Sequence, residues 1–386
     1  MQKNKKMKKL KILHLANDEK FIDQAIKTFE RAAPGANDLY VHGRKPLKFV
    51  RSPAETPSIA NILRGRILKN FSEYNAVMVH SLNPIWYSTI LKLPKDIPVT
   101  WLGWGYDYYD IIYNSIDEML LPLTRAELKE KIPQRNFLKS IKLLIRKAFF
   151  EKKKSKVIRR LNFFSPVLPA EYQMVSDKYS ENVFPEYIPW NYGNLEEDFI
   201  KSFTDTQVTG DSILVGNSAS VENNHIDSFS LLLKIGISDR KIITPLSYGD
   251  TRYRDLIIIK GRELLGELFE PLTDFMPINE YVRTLNSCGF AVMNHVRQQA
   301  VGNIVIMLYL GAKVFLRREC PTYSHFRDQG IVIFSIQELE ENPDLLSERL
   351  DRESMEINRE IIKRSWSKEV SDKRTEDLLR KACKAS

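Results

Sequence analysis

Four short stretches of this chain group side chains that suit a phosphate, a nucleoside or a sugar. The first runs Gly216-Asn217-Ser218-Ala219-Ser220-Val221-Glu222-Asn223-Asn224-His225. Small and hydroxyl residues let a backbone approach a phosphate, and the free N–H groups of a following helix complete an anion site. An ordinary strand-to-helix turn capped by Asn223 or Asn224 fits the same residues. His225 suits a diphosphate contact and a packing role equally. The second stretch, Pro245-Leu246-Ser247-Tyr248-Gly249-Asp250, puts an aromatic ring on a glycine turn. Tyr248 is placed there either to border a nucleoside or to pack on its own helix. The third runs from His295 to Asn303. Arg297 brings charge and a planar fork for phosphate oxygens. Gln298 and Gln299 bring amides, and Gly302-Asn303 opens a helix; packing alone explains this polar cluster poorly. The fourth, Trp101 to Asp110, combines aromatic faces with Asp107, a carboxylate at a predicted strand tip. Aromatic faces stack on sugars, and Asp107 is the first candidate to take a proton from an acceptor hydroxyl. A core cluster of aromatics with two surface aspartates is the competing reading. His14, Asn17, His80 and Asn83 follow other predicted strands of the same sheet. His14 is the second candidate base, although it and His80 also read as buried, hydrogen-bonded histidines.

Positioning these loops requires strands that end beside them. In the first half, Lys11–Ala16, Ala76–His80, Val99–Leu102 and Asn162–Val167 are short apolar runs, and Phe21–Ala32 has helical spacing. In the second half the same alternation is clearer. Ser212–Val215, Lys241–Pro245, Phe290–Met293, Val314–Leu316 and Ile331–Phe334 read as strands separated by helical segments, with a short segment Glu267–Pro271 after the helix Asp255–Leu265. Short apolar strands alternating with helices predict parallel sheets covered on both faces. A length of 386 residues, at ~150 per domain, allows roughly two or three domains. The expected division is 1–190 and 191–386, with the junction in the polar, proline- and glycine-punctuated stretch near Pro185–Asp211 and a charged helical segment at the C-terminus. The same two-lobed plan occurs in binding proteins and epimerases, so it does not fix a function.

The formal net charge is +9, and the hydrophobic fraction of 43% rules out general disorder. Three scattered cysteines argue against a disulfide framework or a structural zinc site and fit a reducing compartment. Six lysines lie within Met1–Lys11, but the apolar run that follows is too short for a signal peptide. The densest charge is at Lys139–Arg160, with ten basic residues and one acidic one. Lys139, Lys142, Arg146, Lys147, Lys152, Lys153 and Lys154 read as a docking face for an anionic membrane, or equally as the solvated side of a packed helix. No zinc-finger, helix-turn-helix or RNA-recognition motif accompanies this charge, so nucleic acid is not expected as a partner.

The order Val215-Gly216-Asn217-Ser218, Asn223-Asn224-His225-Ile226, Pro245-Leu246-Ser247-Tyr248-Gly249, Arg297-Gln298-Gln299 and Gly302-Asn303 resembles the bacterial 4-acetamido-4,6-dideoxygalactose (Fuc4NAc) transferases. These form glycosyltransferase family 56, also called the 4-alpha-L-fucosyltransferase family. Trp104-Gly105-Tyr106-Asp107 looks like that family's Trp-Gly-x-Asp segment. The resemblance implies a GT-B fold: two Rossmann-like α/β domains with parallel sheets facing a central cleft. It implies a peripheral enzyme at the cytoplasmic face of the inner membrane. That enzyme moves Fuc4NAc from a dTDP-sugar to a polyprenyl-diphosphate-linked oligosaccharide, as in enterobacterial common antigen synthesis. The lysine-rich N-terminus and the long basic segment depart from the family pattern and keep other donors open, for capsule or O-antigen. On this reading Gly216, Asn217, Ser218, Asn224, His225, Tyr248, Arg297, Gln298, Gln299 and Asn303 surround the nucleotide sugar. Protein groups neutralise its diphosphate, and neither a cofactor nor a metal is expected. A non-catalytic scaffold in a polysaccharide assembly complex is the alternative.

Overall fold

The computed structural model describes residues 10–131, 150–180, 183–201, 203 and 206–384. The N-terminal lysines before Leu10 and four of the expected docking residues, Lys139, Lys142, Arg146 and Lys147, lie outside the described residues. The chain forms two compact α/β units. The first contains residues 1–112, 135–193 and 369–386; the second contains 113–134 and 194–368.

The first unit is built on β1 (Ile12–Asn17), β2 (Asn37–His42), β3 (Ala76–His80), β4 (Val99–Leu102), β5 (Phe163–Ser165) and β6 (Glu186–Tyr187). All pairings are parallel, in the order β2-β1-β3-β4-β5-β6. The runs Ile-Leu-His-Leu-Ala and Ala-Val-Met-Val-His are buried throughout, as strands covered on both faces must be. Helix α1 (Ile22–Ala32) lays Ala25 and Phe29 on this sheet. Two short helices follow, α2 (Ile59–Arg64) and α3 (Tyr87–Ile90), then α4 (Tyr109–Ile112). Helix α5 (Pro122–Lys131) belongs to the second unit. The chain returns with a helix over 150–158 (α6) and α7 (Pro169–Lys178).

The second unit is built on β7 (Ile213–Val215), β8 (Ile242–Pro245), β9 (Phe269–Leu272), β10 (Phe290–Met293), β11 (Lys313–Leu316) and β12 (Phe334–Ser335). Again every pairing is parallel, in the order β12-β11-β10-β7-β8-β9. The intervening helices are α8 (His225–Ile235), α9 (Thr251–Leu265), α10 (Ile278–Asn286), α11 (Val301–Leu310), α12 (Pro321–Asp328) and α13 (Ile336–Glu341). Two longer helices end the chain, α14 (Arg352–Trp366) and α15 (Lys368–Lys384).

The linear division into 1–190 and 191–386 differs from this arrangement in two places, each with a packing cause. Residues 113–134 join the second unit because α8 binds them: Asp227 accepts the Leu123 and Thr124 N–H groups, and Asn224 Oδ1 accepts that of Leu121. Helix α15 joins the first unit. Its Leu378, Leu379 and Ala382 enter the core around Ile12, Phe29 and Trp190. Thr375 accepts the Trp190 indole N–H at 2.8 Å, and Asp372 accepts Arg31.

Candidate functional site

In open parallel sheets, ligands bind past the C-terminal strand ends where the strand order reverses. In the second unit that reversal lies at β7, between β8 and β10. The loops leaving β7 and β10 are the first and third stretches singled out above. Gly216 leaves β7 with φ +68°, and a Cβ there would lie 2.7 Å from both Asn223 Oδ1 and His225 Nε2. Only glycine fits. Asn223 then organises the loop. Its amide nitrogen donates to the Ser218 carbonyl and hydroxyl and to the Ser220 carbonyl. Its oxygen is therefore the acceptor side, taking the Asn217 N–H at 2.9 Å and His295 Nε2 at 2.9 Å. That bond puts the His295 proton on Nε2 and leaves Nδ1 a bare acceptor, buried with no partner among the described residues. His225, the first residue of α8, touches the Tyr253 hydroxyl through Nδ1 at 3.2 Å. Its Nε2 faces Gly216, also buried with no partner among the described residues. Burial pushes both imidazoles down to about 3, His295 further under the Arg297 charge, so both are neutral at pH 7.

Arg297 is 8% exposed. Its guanidinium pairs with Glu222 Oε1 at 3.2 Å and donates to the Gln298 carbonyl. Burial pushes the Glu222 carboxyl up, but Arg297 and the Ser220 hydroxyl more than offset that, and the net shift is downward. Gln299 donates to Asn217 Oδ1 and Ser218 Oγ, while Asn217 donates to the Tyr248 hydroxyl at 2.8 Å. The β7 and β8 loops are joined through Ala219 and Gly249, where a Cβ would meet the Ala219 carbonyl at 2.5 Å. The structure thus brings Gly216, Asn217, Ser218, His225, Tyr248, Arg297, Gln298 and Gln299 into one polar ring, buried except at Tyr248, which is 45% exposed. Asn224 and Asn303 do other work. Asn224, at φ +52°, donates to the Met119, Glu222 and Asn294 carbonyls and so clamps three segments. Asn303 donates to the Tyr281 hydroxyl and ties α11 to α10. Helices α8 and α11 both start from non-glycine residues in left-handed backbone, Asn224 and Ala300 (φ +61°). Such strain costs of order 1–3 kcal/mol per residue and gathers at functional sites. Asn223, Glu222 and His295 were missing from the expected set. His295 heads the third stretch, and the Asn-Asn pair was the signal for the loop anchor.

In the first unit the strand order reverses at β1, between β2 and β3. The Trp104, Tyr192 and Phe21 rings gather past these strand ends, with Trp104 5.2 Å from Tyr192 and 5.6 Å from Phe21. Asp107 does not face outward from this surface. It is 5% exposed, and its carboxylate accepts the Leu82 and Trp104 N–H groups and the Trp101 indole at 2.6–2.8 Å. Burial raises its pKa against these bonds. Asp107 locks its own loop. Lys154 departs from its expected place too: it is buried, with Nζ on the Asp107 carbonyl and Asp110. A docking role needs an exposed ammonium, and helix α6 turns this one inward. Lys152 is exposed, and Lys153 reaches Ser88 Oγ at 3.0 Å. His14 is fully buried and bonded to His80 and Asn37.

Among the described residues no group of three or more His, Cys, Asp or Glu side chains could hold a metal ion. No helix among them is long and apolar enough to cross a membrane.

Residues 193–363 match the family model for 4-alpha-L-fucosyltransferase glycosyl transferase group 56. That stretch holds the entire polar ring, and the match bears out the resemblance read from its motifs. The whole fold is similar to solved glycosyltransferase structures of low sequence identity. Sucrose-phosphate synthase from Thermosynechococcus elongatus matches with a TM-score of 0.62 at 11% identity, over 97% of this chain and 100% of that one. A glycosyltransferase from Rickettsia africae matches at 0.59 and 10%, over 98% and 100%. The alpha,alpha-trehalose 6-phosphate synthase from Burkholderia multivorans matches at 0.58 and 8%, over 97% and 98%. These likenesses establish the GT-B fold.

Proposed function

Because this chain is a glycosyltransferase of the GT-B fold, with group 56 sequence over residues 193–363, we propose that its second unit holds a dTDP-sugar diphosphate. The sugar is a Fuc4NAc-like deoxyamino sugar, and the acceptor is a polyprenyl-diphosphate-linked oligosaccharide in bacterial surface glycan synthesis. One observation carries the donor site: two buried ring nitrogens, His225 Nε2 and His295 Nδ1, stand without partners among the described residues around the Gly216 loop, His295 under the Arg297 charge. An unsatisfied buried polar group costs about 1–3 kcal/mol. The bare His295 Nδ1 takes a proton-bearing ligand group, a sugar hydroxyl rather than an ionised phosphate oxygen, and such a contact recovers that cost on binding. Arg297 and the N-terminus of α8 offset the charge that grows on the leaving diphosphate, so no metal is assigned to the step. The aromatic surface past β1 and β3 suits the acceptor sugar.

The first unit also presents a surface fit for an anionic bilayer at the cytoplasmic face of the inner membrane. Ile59 and Leu63 on α2 are 57% and 52% exposed, and Leu91 after α3 is 39% exposed. These elements are bonded together, Thr89 Oγ1 to the Ile62 carbonyl and Lys92 Nζ to that of Arg64, and Lys153 joins them through Ser88. Exposed Arg64, Arg66, Lys69, Lys92 and Lys152 accompany these apolar side chains. Each basic residue near an anionic surface contributes up to ~1 kcal/mol.

A thermal-shift series with dTDP, UDP and GDP tests the donor assignment. dTDP is expected to raise the Tm most. A larger shift with UDP or GDP would move the chain to another donor, as for a capsule or O-antigen sugar. No shift with any of the three would reject the site.

A further inference from the structure

Beneath the aromatic surface of the first unit, five side chains form one line of hydrogen bonds. Tyr192 Oη lies 2.9 Å from His80 Nδ1, and His80 Nε2 lies 3.0 Å from His14 Nδ1. His14 Nε2 lies 3.1 Å from Asn37 Oδ1, and Asn37 Nδ2 lies 2.8 Å from Glu30 Oε1. Both histidines are at most 1% exposed.

The direction of every bond in this line follows from its far end. Asn37 Nδ2 donates to Glu30 Oε1 and to the Ala33 carbonyl, and a carbonyl has no proton to give. Asn37 Oδ1 is therefore the acceptor, and His14 must hold its proton on Nε2. A neutral His14 then has a bare Nδ1, which takes the His80 Nε2 proton. His80 Nδ1 is bare in turn and takes the Tyr192 hydroxyl proton. The tyrosine oxygen lies beside the Trp104 side chain, which favours negative charge on it, and keeps a lone pair for an incoming hydroxyl.

We infer that Tyr192 takes the proton of the acceptor hydroxyl and that His80 and His14 carry the matching charge inward. This rests on the transferase reading above. As the acceptor oxygen bonds to the anomeric carbon and the nucleoside diphosphate leaves, the acceptor O–H breaks and its proton goes to Tyr192 Oη. The tyrosine's own proton moves to His80 Nδ1, and the His80 Nε2 proton moves to His14 Nδ1. The histidine-to-histidine and histidine-to-tyrosine bonds reverse direction, while the bond to Asn37 keeps its own. His14 ends as an imidazolium bonded to Asn37, with Glu30 one bond further. The reverse transfers return the proton to water after release. Burial lowers His14 to about 4, against the opposing effects of Asn37, Glu30 and Asp38. That is the range of an ordinary carboxylate base, ~4. Burial, and after it the neighbouring His14, hold His80 well below its ordinary value as well. Asp107, the carboxylate the motif offered, is occupied by its own loop. Tyr192 is the catalytic residue of this proposal; His80 and His14 are positioning residues.

Two measurements on the full-length protein test it. In nitrogen-15 spectra of histidine-labelled protein at pH 7.5, His14 and His80 are both expected to carry the proton on Nε2 alone. The two rings are assigned with His14→Asn and His80→Asn variants. A proton on Nδ1 of either ring overturns the direction, whatever the donor proves to be. The second measurement uses Tyr192→Phe with dTDP-Fuc4NAc and a polyprenyl-diphosphate-linked disaccharide. The dTDP thermal shift and the donor KM are expected to stay, while kcat falls at least tenfold and the His80 tautomer is kept. A kcat within threefold of wild type overturns the role of Tyr192. If the wild type transfers nothing with this pair, the donor or acceptor assignment fails. Tyr192 is then judged on slow hydrolysis of whichever nucleotide sugar shifts the Tm, where the same tenfold loss is expected and an unchanged rate overturns it.

Discussion

At the residue scale, bond direction decides what each polar group can do. Asp107 has the type and place of a general base, yet its two oxygens already accept three donors. In Asp107→Asn, at least one of those donors must face an amide N–H, at a cost of about 1–3 kcal/mol. The variant is expected to lose Tm while the folded protein keeps donor binding and turnover within tenfold. A collapse of turnover at unchanged Tm would restore Asp107 as the base. The buried histidines make a pH prediction. His14, His80, His225 and His295 all titrate well below 6.5 in the folded chain, mainly through burial, whereas the unfolded chain binds their protons near 6.5. As pH falls below 6.5 the unfolded state takes up protons that the folded state refuses. Stability is thus full above about pH 7 and declines below it, by on the order of 1 kcal/mol per pH unit for each histidine. Urea midpoints at pH 7.5, 6.5 and 5.5 should fall steadily. A flat profile across this window, where most carboxylates stay ionised, would contradict the neutral assignment. The sequence offered His14 and His80 as buried, hydrogen-bonded histidines, but it did not show the partners that set each role. Those partners lie far along the chain, such as Asn223 to His295 and Asn37 to His14.

At the element scale, what could be read from the residues tracks burial. Strands β1, β3, β4, β7, β8, β10 and β11 are short, largely apolar runs buried at nearly every position. Their ends therefore placed the site loops. β2 is an edge strand, and Asn-Asp-Leu-Tyr-Val-His alternates between buried and half-buried positions, so it carried no continuous apolar signal. Two-residue β6 gave less still. The ending of α15 was visible as a charged helix, but its destination was not. The pattern Leu378, Leu379, Ala382 shows an apolar face without saying which sheet receives it. Ending the chain at residue 367 removes the bonds to Arg31, Trp190 and Asn191 and uncovers the core around Phe29. The first unit of that shorter chain should unfold at much lower temperature, reported by Trp190 fluorescence. A transition unchanged from the full chain would contradict the placement of α15.

At the scale of the whole molecule, the chemistry and the surplus charge separate. The +9 net charge is concentrated outside the second unit's polar ring, where Arg297 is already paired with Glu222. Each unit carries its candidate groups where its own strand order reverses, and the family match covers the ring but not the first unit's relay. The donor half is accordingly the firmer part, and Arg297 is its centre. Removing Arg297 alone would leave Glu222 as an uncompensated buried charge, a cost of about 3–5 kcal/mol, and would confound fold with function. The double substitution Arg297→Gln with Glu222→Gln removes both charges at nearly constant shape. The most direct measurement is a calorimetric titration of dTDP into the wild type and this double variant, with their Tm values compared. The wild type should bind, and the folded double variant should bind at least tenfold more weakly. Equal affinity in the two proteins, or no binding by the wild type, would contradict a diphosphate site at Arg297.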